Sequence, residues 1–235
     1  VASLGAVPFA MDALGVDVAV GASQKGLMCP PGVGFVAVNA AAFAVAQRNS
    51  APRFYWDWVR RRSDLSYRKF CGTAPQNLLL GMQAALGLIF AEGLSAVWQR
   101  HAQLAQAVHG AVEGWREGGA LDFFVQDPVS RSHSVTTVTV AQGIDIEALR
   151  AVARDRFQVA IAGGLGPLAG RAFRIGHLGD CNPAMILGAI GGVEAALVTL
   201  GVPVGGGGTR RALMSLAGAP WHGVCMDSDG EGRLP

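Results

Sequence analysis

The run Val16-Asp17-Val18-Ala19-Val20-Gly21-Ala22-Ser23-Gln24-Lys25-Gly26 changes character halfway along. Residues 16–21 are short, apolar and β-branched, the composition of a buried strand. Residues 22–26 are small or polar and read as a loop. Cys29-Pro30-Pro31-Gly32 then bars regular helix or strand, because proline lacks the N–H and fixes its own φ. A lysine just after an apolar strand stands where open α/β sheets place ligands, at the carboxyl ends of their strands. Desolvation there would lower the amine's pKa and free it as a nucleophile toward carbonyls. Lys25 and Lys69 are the only lysines among 19 basic residues. Taken alone, Lys25 reads more readily as an ordinary solvated loop residue.

Outward from this run, residues 34–39 read as a second strand and residues 40–47 as a short helix capped by Asn39. Residues 52–72 are aromatic and Arg-rich with weak periodicity, which predicts a long surface loop. Residues 76–92 carry apolar side chains at helical spacing and stop at Gly93. Residues 94–115 form a second long helix whose polar face holds Gln99, Arg100, Gln103, Gln106 and Glu113. Strands are expected at 121–126 and 134–140, then a helix at 145–156 with an acidic first turn. Short strands at 159–161 and 171–175 flank a Gly-rich loop, and an apolar helix at 182–200 starts with Asn182 as cap and Pro183 at its first position. Three regions are expected: a partial α/β unit at 1–99, a smaller α+β unit at 100–202, and a Gly-rich linker with a disordered tail at 203–235.

The chain has 235 residues, 51% of them hydrophobic and 15% charged, which excludes disorder for most of its length. A formal net charge of +2 with no basic arm argues against nucleic acid as a partner. Every long apolar stretch is interrupted by a charge, a proline or several glycines, so no spanning helix and no membrane role are expected. The cysteines at 29, 71, 181 and 225 show no Cys-x-x-Cys pair and no histidine at zinc-ligand spacing. They read as reduced thiols in a cytoplasmic setting, with no metal site. Gly163-Gly164-Leu165-Gly166 lacks a following Lys-Ser/Thr, so its glycines are expected to serve turns rather than a phosphate.

Several ordered motifs carry a resemblance. They are residues 11–28 followed by Pro30-Pro31-Gly32, Phe54-Tyr55-Trp56-Asp57, Thr73-Ala74-Pro75-Gln76-Asn77-Leu78-Leu79, residues 162–170, and Phe173-Arg174-Ile175-Gly176-His177-Leu178-Gly179-Asp180. Over residues 1–202 the chain resembles the class V aminotransferases, pyridoxal phosphate enzymes of fold type I, and within them the serine–glyoxylate and alanine–glyoxylate group. The resemblance implies an α/β fold made of the C-terminal part of such an enzyme: a partial large cofactor-binding domain and a small α+β domain.

It also implies roles. Lys25 matches the Schiff-base lysine of pyridoxal 5'-phosphate and would shuttle the substrate's α-proton. Gln24 matches a position that hydrogen-bonds the cofactor phosphate, and Ser3 one beside the pyridine ring. Arg174 matches the arginine that holds the substrate α-carboxylate; a guanidinium in the apolar stretch Ala172-Phe173-Arg174-Ile175 needs an anion, whether substrate or a carboxylate of its own domain. His177, in the same motif, is expected to pack or hydrogen-bond. Thr73 matches a position that reaches the cofactor phosphate of a neighbouring subunit, which implies a homodimer with amino-acid and 2-oxo-acid substrates. Phe70 stands where relatives commonly carry a tyrosine, and it cannot donate a hydrogen bond to phosphate.

The carboxylate that pairs with the ring nitrogen is expected two residues before Val1. The segment from Val1 to Gly5 reads as a strand's tail and exit turn, so an N-terminal truncation is expected, with the chain alone inactive and its first half poorly folded. The leading reading is amino transfer from serine or alanine to glyoxylate. Two alternatives stand beside it: another class V chemistry such as cysteine desulfurization, and a non-catalytic remnant acting as a dimerisation partner.

Overall fold

The computed structural model describes residues 2–219. Strands β1 (Val18–Ala22) and β2 (Gly34–Val38) pair antiparallel, with Val20 opposite Val36. Helix α1 (Ala40–Arg48) follows, and the Asn39 side chain caps it by accepting from the Ala42 N–H. Two short helices, α2 (Trp58–Arg61) and α3 (Ser66–Phe70), precede α4 (Gln76–Glu92) and α5 (Leu94–Arg116). The last two meet at an 89° bend on Gly93, whose φ of +87° is a conformation that side chains with a β-carbon disfavour. The rest of the chain gives β3 (Leu121–Phe123), β4 (Val135–Val140), α6 (Ile146–Phe157), β5 (Ala162–Gly163), β6 (Ala172–Gly176), α7 (Pro183–Thr199) and α8 (Gly208–Ala217). Among the described residues no single helix is long and apolar enough to cross a membrane.

Strands β3 to β6 form one antiparallel sheet in the order β3-β4-β6-β5. Helices α5, α6, α7 and α8 supply the rest of its core, in which Leu104, Trp115, Phe123, Leu149, Phe173 and Ile190 are fully buried. Each such side chain contributes roughly 1.5–3 kcal/mol by leaving water. Side chains alternate across a strand, so Phe173 and Ile175 enter this core while Arg174, between them, projects from the other face. A second, smaller cluster joins Leu27 to Ile89 of α4 and Val97 of α5. The boundary expected at 99–100 falls inside α5, which belongs to both clusters.

The strand expected at 121–126 ends at Phe123, and the structure differs from the sequence reading in five further places. The strand expected at 16–21 begins at Val18 and is not buried: Val20 is 60% exposed, because no described layer packs on that face of the ribbon. The surface loop expected at 52–72 contains a 3-10 turn at Phe54–Trp56 and then α2 and α3, with Asp57 capping α2 and Arg61 donating to the carbonyls of Tyr55 and Arg68. The strand expected at 159–161 is not formed; pairing starts at Ala162, and the Ile161 carbonyl accepts from Arg150. Arg100 does not lie on a solvent-facing side of α5 but is buried against Glu92.

The last of these differences is α8, which occupies Gly208–Ala217 where a disordered tail was expected. Its glycines serve close approach instead of flexibility. A Cβ on Gly208 would collide with the Trp115 indole, and one on Gly114 would lie 2.7 Å from the Gly208 Cα. Glu194 of α7 then accepts from the Thr209 N–H and hydroxyl and from the Trp115 indole N–H, fixing the helix start. Residues 220–235, the rest of that expected tail, lie outside the described residues.

Candidate active site

The lysine turn is anchored at its base. Ser23, buried, donates its hydroxyl to the Pro30 carbonyl at 2.7 Å and exchanges backbone bonds with Val33 and Cys29. Met28 closes the turn by donating its N–H to the Lys25 carbonyl at 2.9 Å, from a left-handed φ of +61°. Leu27 plugs the turn into the cluster with Ile89 and Val97. Gln24 and Lys25 are left exposed at the tip. Among the described residues no hydrogen bond or ion pair engages either side chain, and both are open to solvent.

Ser3 lies on an adjacent turn, where its carbonyl accepts from Ala6 and Val7. The two turns touch backbone to backbone. Gly5, at φ +89°, would place a Cβ 2.7 Å from the Gly26 carbonyl oxygen, and a Cβ on Gly26 would strike the Leu4 carbonyl. Only glycines permit this approach, and it brings the turn that carries Ser3 against the turn that carries Lys25.

Arg174 comes from β6, between Thr137 of β4 and Ala162 of β5. It is half-buried and donates Nε–H to the Gly163 carbonyl at 2.8 Å. No described carboxylate pairs with it, so the terminal N–H groups of the fork are left for an anion. The internal ion pair weighed from the sequence is thus not formed among the described residues.

The segment after Arg174 turns back to the lysine. His177 is buried, with Nδ1 3.1 Å from the His133 carbonyl and Nε2 2.9 Å from the Thr136 hydroxyl, so Nδ1 donates and Nε2 accepts. Burial, and after it the charge of His109, push its pKa down to about 3, which keeps the ring neutral. Gly179 then reaches the lysine turn: a Cβ there would lie 3.7 Å from the Lys25 carbonyl oxygen. Its own N–H donates to His101 Nε2 at 3.0 Å, and its carbonyl accepts from Arg100 at 2.8 Å.

Arg100 and His101 went unrecognised in the sequence. A usable signal was present for His101: it lies one helical turn after Val97 and just before Leu104, on the apolar stripe of α5. Thr73 is not gathered with the others. It sits in the exposed connection between α3 and α4, with no described bond to Ser3, Gln24, Lys25 or Arg174.

The arrangement offers an accessible amine for a carbonyl carbon, polar side chains at Ser3 and Gln24, and a guanidinium fork for a carboxylate. That donor set fits an aldehyde-bearing cofactor and an amino-acid substrate. Gly5 and Gly26 leave the backbone between the two turns bare of side chains.

Comparison with known proteins gives the same direction. A family model described as Aminotransferase class-V matches residues 1–168. The serine–glyoxylate aminotransferase of Methylorubrum extorquens is 38% identical over 87% of this chain and 51% of its own length. The L-aspartate–glyoxylate aminotransferase of Paracoccus denitrificans is 35% identical over 87% of this chain and 50% of its own. A crystal structure of alanine–glyoxylate aminotransferase from Nostoc sp. superposes with a TM-score of 0.73 at 34% identity, covering 84% of this chain and 52% of that one. The chain thus spans about half the length of the relatives it matches.

Proposed function

Because the chain belongs to the class V aminotransferases, we propose that it carries the lysine and carboxylate-binding half of an enzyme that moves an amino group from an amino acid to glyoxylate. Pyridoxal 5'-phosphate, when bound, supplies the carbonyl that accepts the amino group and an electron sink for the carbanion at the substrate α-carbon. The observation that supports this reading most is that two segments approach the turn presenting Lys25, the Ser3 turn through Gly5 against Gly26 and the segment after Arg174 through Gly179.

Each residue then has a task. Lys25 holds the cofactor through Nζ and moves the proton at the substrate α-carbon. Gln24 donates to the cofactor phosphate, and Ser3 lies beside the ring. Arg174 binds the α-carboxylate with its free N–H groups and so orients the α-carbon toward Lys25. The three relatives reported above all carry glyoxylate in their names and vary the donor among serine, alanine and aspartate, which supports glyoxylate as the acceptor and serine or alanine as the leading donor. Thr73, exposed and apart from the other groups, is assigned to the cofactor phosphate of a second subunit in a homodimer.

Desulfurization is disfavoured by a specific observation. Such chemistry needs a thiolate on a mobile loop, whereas the Cys181 thiol donates to the Leu178 carbonyl at 3.3 Å and burial pushes its pKa up. Cys225 lies outside the described residues. The non-catalytic reading draws on the exposed ribbon at Val18 and Val20. Incubation with pyridoxal phosphate, borohydride reduction and peptide mapping decides between it and the enzyme: the label is expected on Lys25. A Lys25→Ala variant that kept the label would sink the assignment.

A further inference from the structure

We propose that Arg100 and His101 are positioning residues that lock Gly179 onto the lysine turn and thereby fix the placement of Arg174 relative to Lys25. The proposal rests on the functional reading above only for what Arg174 and Lys25 do; the lock itself is a matter of contacts.

Gly179 is held at both of its polar groups by neighbours in sequence. His101 Nδ1 lies 2.7 Å from the Val97 carbonyl, to which it donates, leaving Nε2 to accept the Gly179 N–H at 3.0 Å. Arg100 donates Nη1–H to the carbonyls of Gly179 at 2.8 Å and Cys181 at 3.2 Å. Its other edge forks onto Glu92, with Nε 2.7 Å and Nη2 2.9 Å from the two carboxylate oxygens. His101 is fully buried and the Arg100 side chain only 7% exposed, so the guanidinium has its charge paired and most of its donors satisfied.

The same helix corner also supports the lysine. Glu92 ends α4, Val97 lies in the first turn of α5, and Val97 packs with Leu27 of the lysine turn. Hence the α4–α5 corner is a common footing. It grips the Lys25 turn through Leu27 and the end of the Arg174 segment through Gly179, and the two gripped pieces are near neighbours: a Cβ on Gly179 would stand 3.7 Å from the Lys25 carbonyl oxygen. The ion pair ties α5 to α4, and the same guanidinium also ends on the backbone of the segment that carries Arg174. At φ +87°, Gly179 takes a backbone conformation suited to glycine and presents both N–H and C=O to the corner.

The test uses the full chain and amide hydrogen exchange. His101→Leu removes the acceptor for Gly179, while His101→Gln supplies a carbonyl acceptor and an N–H donor of similar reach. Loss of one buried hydrogen bond is expected to lower protection of the Gly179 and Met28 amides about five- to tenfold in His101→Leu, with His101→Gln near the unmodified chain. Arg100→Lys, which keeps the charge beside Glu92 but cannot fork to both carbonyls, is expected to loosen the same two amides. Unchanged Met28 protection in His101→Leu and Arg100→Lys overturns the proposal. So does a His101→Gln that behaves like His101→Leu. If His101→Leu unfolds the chain, the Arg100→Lys result decides. In a complete enzyme that carries this half, with pyridoxal phosphate loaded, the amino-acid KM is expected to rise in His101→Leu more than kcat falls, and to recover in His101→Gln. If borohydride places no label on Lys25 of the unmodified chain, the functional reading fails, and the exchange results still decide the lock.

Discussion

His109 meets His177 edge to face, with ring centroids 6.2 Å apart and planes at 90°, and both rings stay neutral inside the small sheet's core. Burial, then the charge of Arg131, hold His109 down to about 4, while His177 is pushed down to about 3. His101 is also lowered, chiefly by burial. In the unfolded chain these rings titrate near 6.5. Between about pH 6.5 and 3 the unfolded state therefore binds more protons, and stability must fall as the pH is lowered through that window. The thermal midpoint is expected to be flat above pH 7 and to drop steadily below 6.5. A His109→Phe chain should show a shallower drop, because the substitution removes one of the groups that the fold keeps from protonating; His109 Nε2 has no hydrogen-bond partner among the described residues to lose.

The α5–α8 seam gives a second expectation. Gly208→Ala introduces a methyl where the Trp115 indole already sits, so either the indole leaves Glu194 or α8 lifts. Overpacking of this kind costs about 1–3 kcal/mol, roughly 2–4 °C in Tm for each kcal/mol at this chain length. Differential scanning calorimetry measures it directly. An unchanged midpoint would mean that α8 is not part of the cooperative unit.

That seam also marks what the sequence could and could not say. Residues 76–92 were legible because apolar spacing and a terminal glycine agree on one helix. The loop position of Lys25 and the strand position of Arg174 were legible because the apolar run ends before the one and surrounds the other. Gly205–Gly208 misled because a glycine run looks the same whether it frees a chain or lets two helix backbones touch; only the partner, Gly114 and Trp115 far upstream, tells them apart. Arg100 misled for a related reason. A charge on an amphipathic helix reads as solvated, and its burial depends on Glu92 across the bend and on carbonyls of Gly179 and Cys181. Val18 and Val20 have the composition of a buried strand, yet burial needs a covering layer that no local pattern supplies.

Uneven packing predicts uneven protection. The large cluster runs from Leu104 to Ala212, whereas the first hundred residues share a cluster of Leu27, Ile89 and Val97 with few supporting side chains. A two-stranded ribbon with exposed faces is marginal by itself. Amides of β1 and β2 in the isolated chain are expected to exchange at least tenfold faster than those of β4 and β6. Truncation at the core's centre, Phe173→Ala, should cost about 3–5 kcal/mol and remove slow exchange from β4 and β6 together. Equal protection in the two halves would show that the ribbon gains stability from contacts not described above.

The Arg174 fork separates binding from chemistry. Its Nε is spent on the Gly163 carbonyl, and its remaining N–H groups have no described carboxylate. Arg174→Gln keeps a donor of shorter reach but loses the charge. Charge-assisted hydrogen bonds are worth about 1.5–3 kcal/mol, so amino-acid affinity should fall roughly ten- to hundredfold. Cofactor capture at Lys25 should be untouched, because Lys25 is presented by a different turn anchored on Ser23 and Leu27. Borohydride labelling and amino-acid titration of the same preparation measure both. Lost labelling would show that Arg174 shapes the cofactor site, and unchanged amino-acid affinity would take the carboxylate away from this residue.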